Sequence, residues 1–468
     1  MPEPIKTTPA PRVRIRMYRQ GLGDCFLLRF PGPGGKSFHL VIDSGVIKGT
    51  QNPSIKMREV AEDIERETGG KIDALVVTHE HWDHVSGFTE ARDVWERMQI
   101  AEVWLAWTEK PGDPQATRIR QDRENKKTAL TTQLTALAGG SSLRLDAERG
   151  SRIEALLGFL GYELGAAEDG VGETKAALDY IVSRAKKPVY HEPGTSFTRK
   201  EIPGVRIYVL GPPRDEKLLK KSDPSTATPE VYSDPAQAFA FSGLEETNDG
   251  DADRPFSAEE GQPVGDSKAY DQRFQQFFPT LAKDGPDPAW RRLDFESMAD
   301  LERLALALDG DTNNTSLALA FEFTDGRVLL FPADAQVGNW LSWQTYTWKV
   351  GQKPVRADSL LARTVLYKVG HHGSHNATLK DDGLEKMTHR DLMALIPVDK
   401  AMAVKKRWKM PFPPLHQRLL EKTRGRVILA DASESLAQPG QLTALTASER
   451  SKFGQVVSAS PLFIDFTL

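Results

Sequence analysis

The chain holds one cysteine, Cys25, in 468 residues, so no intrachain disulfide can form. That excludes a disulfide-framework secreted domain and favours a reducing compartment. No stretch approaches the ~20 consecutive apolar residues of a membrane-spanning helix. The opening MPEPIKTTPAPRVRIRMYRQ has charge but no apolar core, and no signal peptide is expected. Neither charge sign dominates: 61 Lys and Arg against 65 Asp and Glu give a formal charge of -4. This excludes a strongly basic whole-chain nucleic-acid binder, while a local basic patch stays open. Internal repeats and heptads are also lacking. With 39% hydrophobic residues the chain can bury a sizeable core. A cytoplasmic protein with no membrane contact is the expectation. At ~150 residues per domain, length alone suggests about three units.

Hydrophobic patterning predicts an α/β chain. Val13, Ile15 and Met17 alternate with arginines, as in a half-buried strand. A turn at Gly21-Leu22-Gly23-Asp24 leads into apolar Cys25–Leu28. Phe38–Ile42 reads as a strand ending at Asp43-Ser44-Gly45, and Ile55–Glu67 as a helix stopped by Gly69-Gly70. Ala74–Val77 is a short, fully apolar strand. Further strands are predicted at Val205–Leu210, Ser316–Phe323, Arg327–Phe331, Thr364–Val369, Leu392–Val398 and Val427–Leu429. Residues 109–202 look helical and charged, and residues 213–304 are acidic and rich in Pro and Gly; both read as insertions.

Histidine is scarce but clustered. Of 10 in the chain, His79, His81 and His84 fall within six positions, and His371, His372 and His375 within five. Both clusters follow apolar strands, which places both at one edge of a sheet. In His79-x-His81-x-Asp83-His84, His79 and His81 can face one metal ion while Asp83 and His84 face a second. Imidazole and carboxylate suit zinc and other first-row divalent ions. Two ions ~3.5–4 Å apart polarise a substrate and activate a bridging water near neutral pH.

Residues 78–87 (THEHWDHVSG) resemble the metal-binding loop of the metallo-β-lactamase-fold hydrolases. The likeness continues in order. Gly21–Leu28 is similar to the G-x-G-D-apolar opening of a branch that includes the ComEC-type competence proteins and the phosphorylcholine esterases. Ile42-Asp43-Ser44-Gly45, Asn314-Thr315-Ser316-Leu317, Leu330–Ala335 and Lys368–Ser374 match that branch's "IDxG", "NxSL", "LLxGDA" and "KxxHHGS". Ala333 stands where the usual residue is Gly. The resemblance implies an αββα four-layer sandwich, one domain over 1–468 built from 12–108, 203–212 and 305–468 around the two insertions.

It also implies roles. His79 and His81 would hold one ion, Asp83 and His84 the other, and Asp334 would bridge both. His371 or His372 would complete the set. Asp83 would act in catalysis, with His375 as proton donor. Asp43, Asp24, Asn314 and Ser374 would support the ligands. Lys368, or the basic run Lys405-Lys406-Arg407, would hold a substrate phosphate. Many family members carry a further histidine between the first loop and the bridging aspartate; here that interval offers only His191. The implied cofactors are two divalent ions, zinc first and manganese as the alternative. The implied activity is hydrolysis of a phosphodiester or other phosphoester by metal-bound hydroxide, on a nucleotide, a nucleic acid or another small molecule. A carboxylic ester, lactone or thioester is the second reading. It predicts an apolar pocket that Trp82, Trp340, Trp343 and Trp348 could line. A metal-stabilised scaffold working through protein partners is the third.

Overall fold

The structure, a computed structural model, describes residues 12–139, 173–225, 228–232, 304–432 and 440–468. In chain order the strands are β1 Arg14–Tyr18, β2 Phe26–Pro31, β3 Ser37–Ile42, β4 Lys71–Val76, β5 Gln99–Ala106, β6 Ala185–His191, β7 Ser196–Thr198 and β8 Val205–Gly211. There follow β9 Ala318–Phe323, β10 Val328–Phe331, β11 Thr347–Val350, β12 Lys353–Arg356, β13 Thr364–Lys368, β14 Met393–Ile396, β15 Val427–Leu429, β16 Val457–Ala459 and β17 Phe463–Thr467.

They form two large sheets and a small hairpin. One sheet runs β16-β17-β1-β2-β3-β4-β5-β6, the other β15-β14-β13-β10-β9-β8-β7. Strands β3 to β6 are mutually parallel, as are β10, β13, β14 and β15. Parallel strands put the residues that follow them at one edge. Asp43 follows β3, Thr78 follows β4, Asp334 follows β10 and His371 follows β13.

The inner faces of the sheets share a core. Val13, just before β1, and Ile15 and Met17 of β1 bury there with Phe26, Phe321 and Phe331. Phe26 meets Phe331 across the sheets edge-to-face at 5.6 Å. Burying each such side chain is worth about 1.5–3 kcal/mol. The other face of β1 is not solvent: Arg16 is buried and bonds Asp63 at 2.5 Å and Asp465 at 2.7 Å. Alternation in β1 thus separates an apolar face from an ion-paired one, because the helix Pro53–Thr68 covers the arginine side. That helix begins on Pro53 and ends at Gly69, whose left-handed φ of 61° turns the chain away. Helices Pro53–Thr68, Trp82–Glu90, Arg92–Trp95 and Glu173–Arg184 bury apolar residues with the first sheet. Helices Val337–Trp343, Ala357–Ala362 and Pro413–Lys422 do so with the second.

The segment expected to be a helical insertion also builds the sheets. Helix Glu173–Arg184 packs on the first sheet, and β6 and β7 extend the two sheets at their edges. Their few apolar residues hide them from periodicity, since Ala185–His191 is mostly exposed or half-buried. Strands β16 and β17 were likewise not anticipated; β17 pairs with β1 at the opposite end of the chain. Most of the acidic stretch 213–304 lies outside the described residues. Among the described residues, no helix is long and apolar enough to cross a membrane.

Candidate metal centre

The loop after β4 is held by backbone pads. Asp24 N–H donates to the Asp83 carbonyl at 3.0 Å and Ser44 N–H to that of His84 at 2.9 Å. A Cβ on Gly45 would lie 2.4 Å from the Asp83 carbonyl oxygen, and one on Gly23 2.7 Å from it. Only glycine allows this approach, which gives the Gly23-Asp24 and Ser44-Gly45 motifs a physical reason. On the far side, the Glu80 side chain turns away from its histidine neighbours. It meets Arg123 at 2.9 Å and Lys127 at 2.5 Å, and accepts from the Thr174 hydroxyl at 2.9 Å.

Four non-glycine residues at the centre are left-handed: Asp43, Ala333, His371 and His372, with φ of 56, 55, 43 and 52°. Such backbone costs of order 1–3 kcal/mol per residue and gathers at functional sites. Ala333 offers a measurable case. Ala333→Gly gives up a buried methyl and gains unfolded-state freedom, roughly 1.5 kcal/mol together. It also relieves left-handed strain of about 1–2 kcal/mol. The expected change is within about 0.5 kcal/mol of zero by urea denaturation. The same substitution at Ala335, equally buried and not left-handed, should lower stability by about 1.5 kcal/mol.

The side chains converge from both sheets. Asp83, His84, Asp334 and His372 each offer a donor atom, and these atoms all lie within 4.8 Å of one another. His84 Nε2 is 3.1 Å from Asp334 Oδ2, and His372 Nε2 is 2.8 Å from Asp83 Oδ2. The outer ring nitrogens have acceptors. His372 Nδ1 donates to the Pro397 carbonyl at 2.7 Å, and His84 Nδ1 to Asp43 Oδ2 at 2.8 Å. The Thr78 hydroxyl donates to Asp43 Oδ2 at 2.7 Å, so His79 Nδ1, 3.1 Å away, donates to Thr78. That leaves His79 Nε2 facing His81 Nδ1 at 3.1 Å. Such outer partners fix tautomers and ring orientations.

Charge is concentrated and dry. Asp24, Asp43, Asp83 and Asp334 are all buried. Lys368 Nζ reaches Asp24 at 2.5 Å and Asp334 Oδ1 at 3.1 Å, and the His371 N–H also donates to Asp334 Oδ1 at 3.1 Å. Burial works against the charge on His84, but Asp334, Asp83 and Asp43 outweigh it and hold its pKa well above the usual range. His372 is raised too: burial opposes its charge, and the bond to Asp83 prevails. Burial lowers His81 to about 3 and His371 to about 4, so both are neutral. Asp334 would be raised by burial, yet His84 and Lys368 hold it well below the carboxylate range. Asp83 Oδ1 and Asp24 Oδ1 are buried without a hydrogen-bond partner. Unmatched carboxylate oxygens beside imidazole nitrogens suit a divalent cation, and the cluster is compatible with binding metal ions.

Other expected residues sit elsewhere in the design. Lys368, expected on a substrate phosphate, is 1% exposed and bonds two carboxylates and the Ala333 carbonyl, so it has no proton left for a substrate. Asn314 accepts from the N–H groups of Gln336 and Asn339 at 3.1 and 3.3 Å, which fixes the turn after Asp334. Ser374 bonds Asn376 at 3.1 Å. His375 packs its ring 6.0 Å from Phe412, and burial lowers its pKa, which suits a proton acceptor better than the expected donor. His191 stacks on Phe197 at 5.1 Å and meets Trp104 edge-on at 5.1 Å, so its ring belongs to an aromatic group between the sheets. Lys405 reaches the Gly49 carbonyl at 3.5 Å, Lys406 is buried and Arg407 exposed. Trp340, Trp343 and Trp348 are fully buried core residues. Trp82 lies under Lys48, 4.3 Å from its ring centre.

Sequence reading missed Asp309. It lies in the helix 304–313, is buried, and has Oδ1 3.8 Å from His81 Nε2. Burial together with Asp83 and Asp334 pushes its pKa well above the carboxylate range. No motif or spacing marks it. No curated protein matches the chain. Residues 18–119, which run from the end of β1 through β5 and carry the His79–His84 loop, match the family model of the metallo-beta-lactamase superfamily.

Proposed function

We propose that this protein is a metal-dependent hydrolase of the metallo-β-lactamase type, an αββα four-layer sandwich acting on phosphodiester or phosphoester substrates. The observation that carries this reading is the meeting of Asp83 and His84 from one sheet with Asp334 and His372 from the other. His79 Nε2 and His81 Nδ1 would hold one ion; Asp83, His84 and His372 would hold a second, with Asp334 between them. When bound, zinc or manganese would supply Lewis acidity and lower the pKa of water toward neutrality. The chain does the rest. Asp43, Thr78 and Pro397 aim the histidines, and Lys368 with the His371 N–H anchors one oxygen of Asp334 while the other faces His84. Burial keeps bulk water from these bonds.

The phosphoester reading is preferred to the carboxylic-ester reading on the tryptophans. An apolar acyl pocket was expected to use Trp82, Trp340, Trp343 and Trp348; the last three are in the core and Trp82 lies under Lys48. Beside the helix that bears Asp309 lies a cavity of about 220 Å³. Of its cations, Arg118, Arg123 and Lys126 already pair with Glu216, Glu80 and Asp311, so the preference rests on the tryptophans. Nucleotides and nucleic acids are the substrate classes to try first.

The test is a paired assay on chelated protein resupplied with zinc or manganese, using bis-p-nitrophenyl phosphate and a p-nitrophenyl carboxylic ester. Metal-dependent phosphodiester turnover, abolished by Asp83→Ala with His84→Ala, is the expected result. Turnover of the carboxylic ester alone would move the assignment to esters and lactones. Stoichiometric metal with neither activity would favour the scaffold reading.

A further inference from the structure

Of the four histidines just described, three have an outer ring nitrogen with a defined acceptor: Thr78 Oγ1 for His79, Asp43 for His84 and the Pro397 carbonyl for His372. His81 turns Nδ1 to His79 and Nε2 the other way, where Asp309 Oδ1 lies at 3.8 Å. Asp309 is itself anchored, since Asn313 Nδ2 donates to its other oxygen at 3.2 Å. Its Oδ1 is buried and has no hydrogen-bond partner, and among the described residues no Lys or Arg pairs with it. A buried carboxyl oxygen left without a partner is costly, and a polarised imidazole N–H is the group that would match it.

We propose that Asp309 is a positioning residue: it accepts from His81 Nε2–H and so fixes the tautomer that turns His81 Nδ1 toward His79. This rests on the metal-binding reading above. An imidazole bound through Nδ1 becomes a stronger donor at Nε2, so ion and carboxylate reinforce each other through one ring. Turning His81 Nδ1 away from His79 would remove one of the pair's two imidazole donors, so its affinity should depend on this orientation. A residue supporting a ligand in this way is typically worth 10–100-fold in metal affinity.

The experiment uses the full chain, chelated, with zinc affinity and stoichiometry read by competition against a chromophoric chelator. Thermal melts of the metal-free proteins run alongside. Wild type is compared with D309A and D309N. The expected result is a 10–100-fold loss at one of two sites in D309A and recovery to within several-fold of wild type in D309N, whose amide oxygen can still accept. Nitrogen-15 histidine spectra should show His81 protonated at Nε2 in wild type and D309N. If D309A does not fold, D309N and these spectra still decide the matter. Equal affinity in D309A and wild type would overturn the proposal alone. Equal losses in D309A and D309N would overturn it in favour of a direct ligand. Wild type that binds no zinc would overturn the metal reading and this inference together.

Discussion

Glu80→Gln should lower stability at neutral pH by about 3–5 kcal/mol, although Glu80 faces away from the metal cluster. Its carboxylate lies between Arg123, 5% exposed, and Lys127, 2% exposed. Removing it takes away the shortest carboxylate contact of both buried cations; those described beside it, Arg123 to Glu109 and Lys127 to Glu124, are both at 3.4 Å. The effect has a pH signature. Burial alone would raise the Glu80 pKa, but Lys127 and Arg123 bring it down to about 2. A depressed carboxylate stabilises the fold fully above its unfolded value near ~4.3 and loses that contribution as pH falls toward its folded value. Urea midpoints of wild type and variant should therefore differ widely at pH 7 and converge as pH approaches 2. A constant gap would show that the ion pairs are not the cause. Zinc affinity should fall too, because Glu80 sits between His79 and His81 and anchors the turn that presents them.

The second large effect is on metal binding itself. On the proposed function, Asp334→Asn should lower turnover in the phosphodiester assay by at least about 10³-fold, because several kcal/mol of metal assistance would depend on holding the ions. Its acidic character is shared among Lys368, the His371 N–H and His84. An amide cannot serve all three, since its NH₂ end would confront a donor. Metal affinity should also depend steeply on pH. His84 and His372 are both raised, so below their pKa values an ion must displace two protons. Affinity should fall by up to about 100-fold per pH unit there. For chelated protein the sign is opposite. A raised histidine stabilises the fold below its unfolded pKa, and this is lost as pH rises through its folded pKa. Melting temperatures of chelated and zinc-loaded protein should diverge as pH rises from 6 to 9. A pH-independent difference would argue that His84 and His372 do not hold the ion.

Much of the site was legible because its chemistry is local in sequence. His79, His81, Asp83 and His84 follow an apolar strand, and the structure gathers Asp83 and His84 with Asp334 and His372. The pattern could not choose between His371 and His372. That choice depends on two successive left-handed residues, which place the His372 ring against Asp83 while the His371 N–H meets Asp334. Lys368 was expected on a substrate phosphate because in sequence it stands beside the His371-His372 pair with no acid next to it. Only tertiary contact reveals that Asp24 and Asp334 already occupy it. Asp309 and Glu80 were illegible for the same reason: a buried carboxylate and an exposed one look alike in sequence. In the fold, most apolar strands announced themselves, but β5, β11 and β12 were not anticipated. Nor were β6, β7, β16 and β17, because edge pairing is a property of the neighbour: β17 is a strand because β1 lies open beside it.

The proposed ligands also set a timetable for the growing chain. His84 and Asp334 stand 250 residues apart, and Asp83 and His372 289. At ~5–20 residues per second of synthesis, the first loop waits roughly 12–60 seconds for its partners to emerge. During that interval the ribosome-bound protein offers bare imidazoles and carboxylates without the second sheet that completes the set. A metal ion captured early would be held by half a site, and one captured late would close loops of 250 and 289 residues. Productive loading should therefore be a late event in maturation, and a chain stalled before residue 334 should bind zinc weakly and exchange it freely.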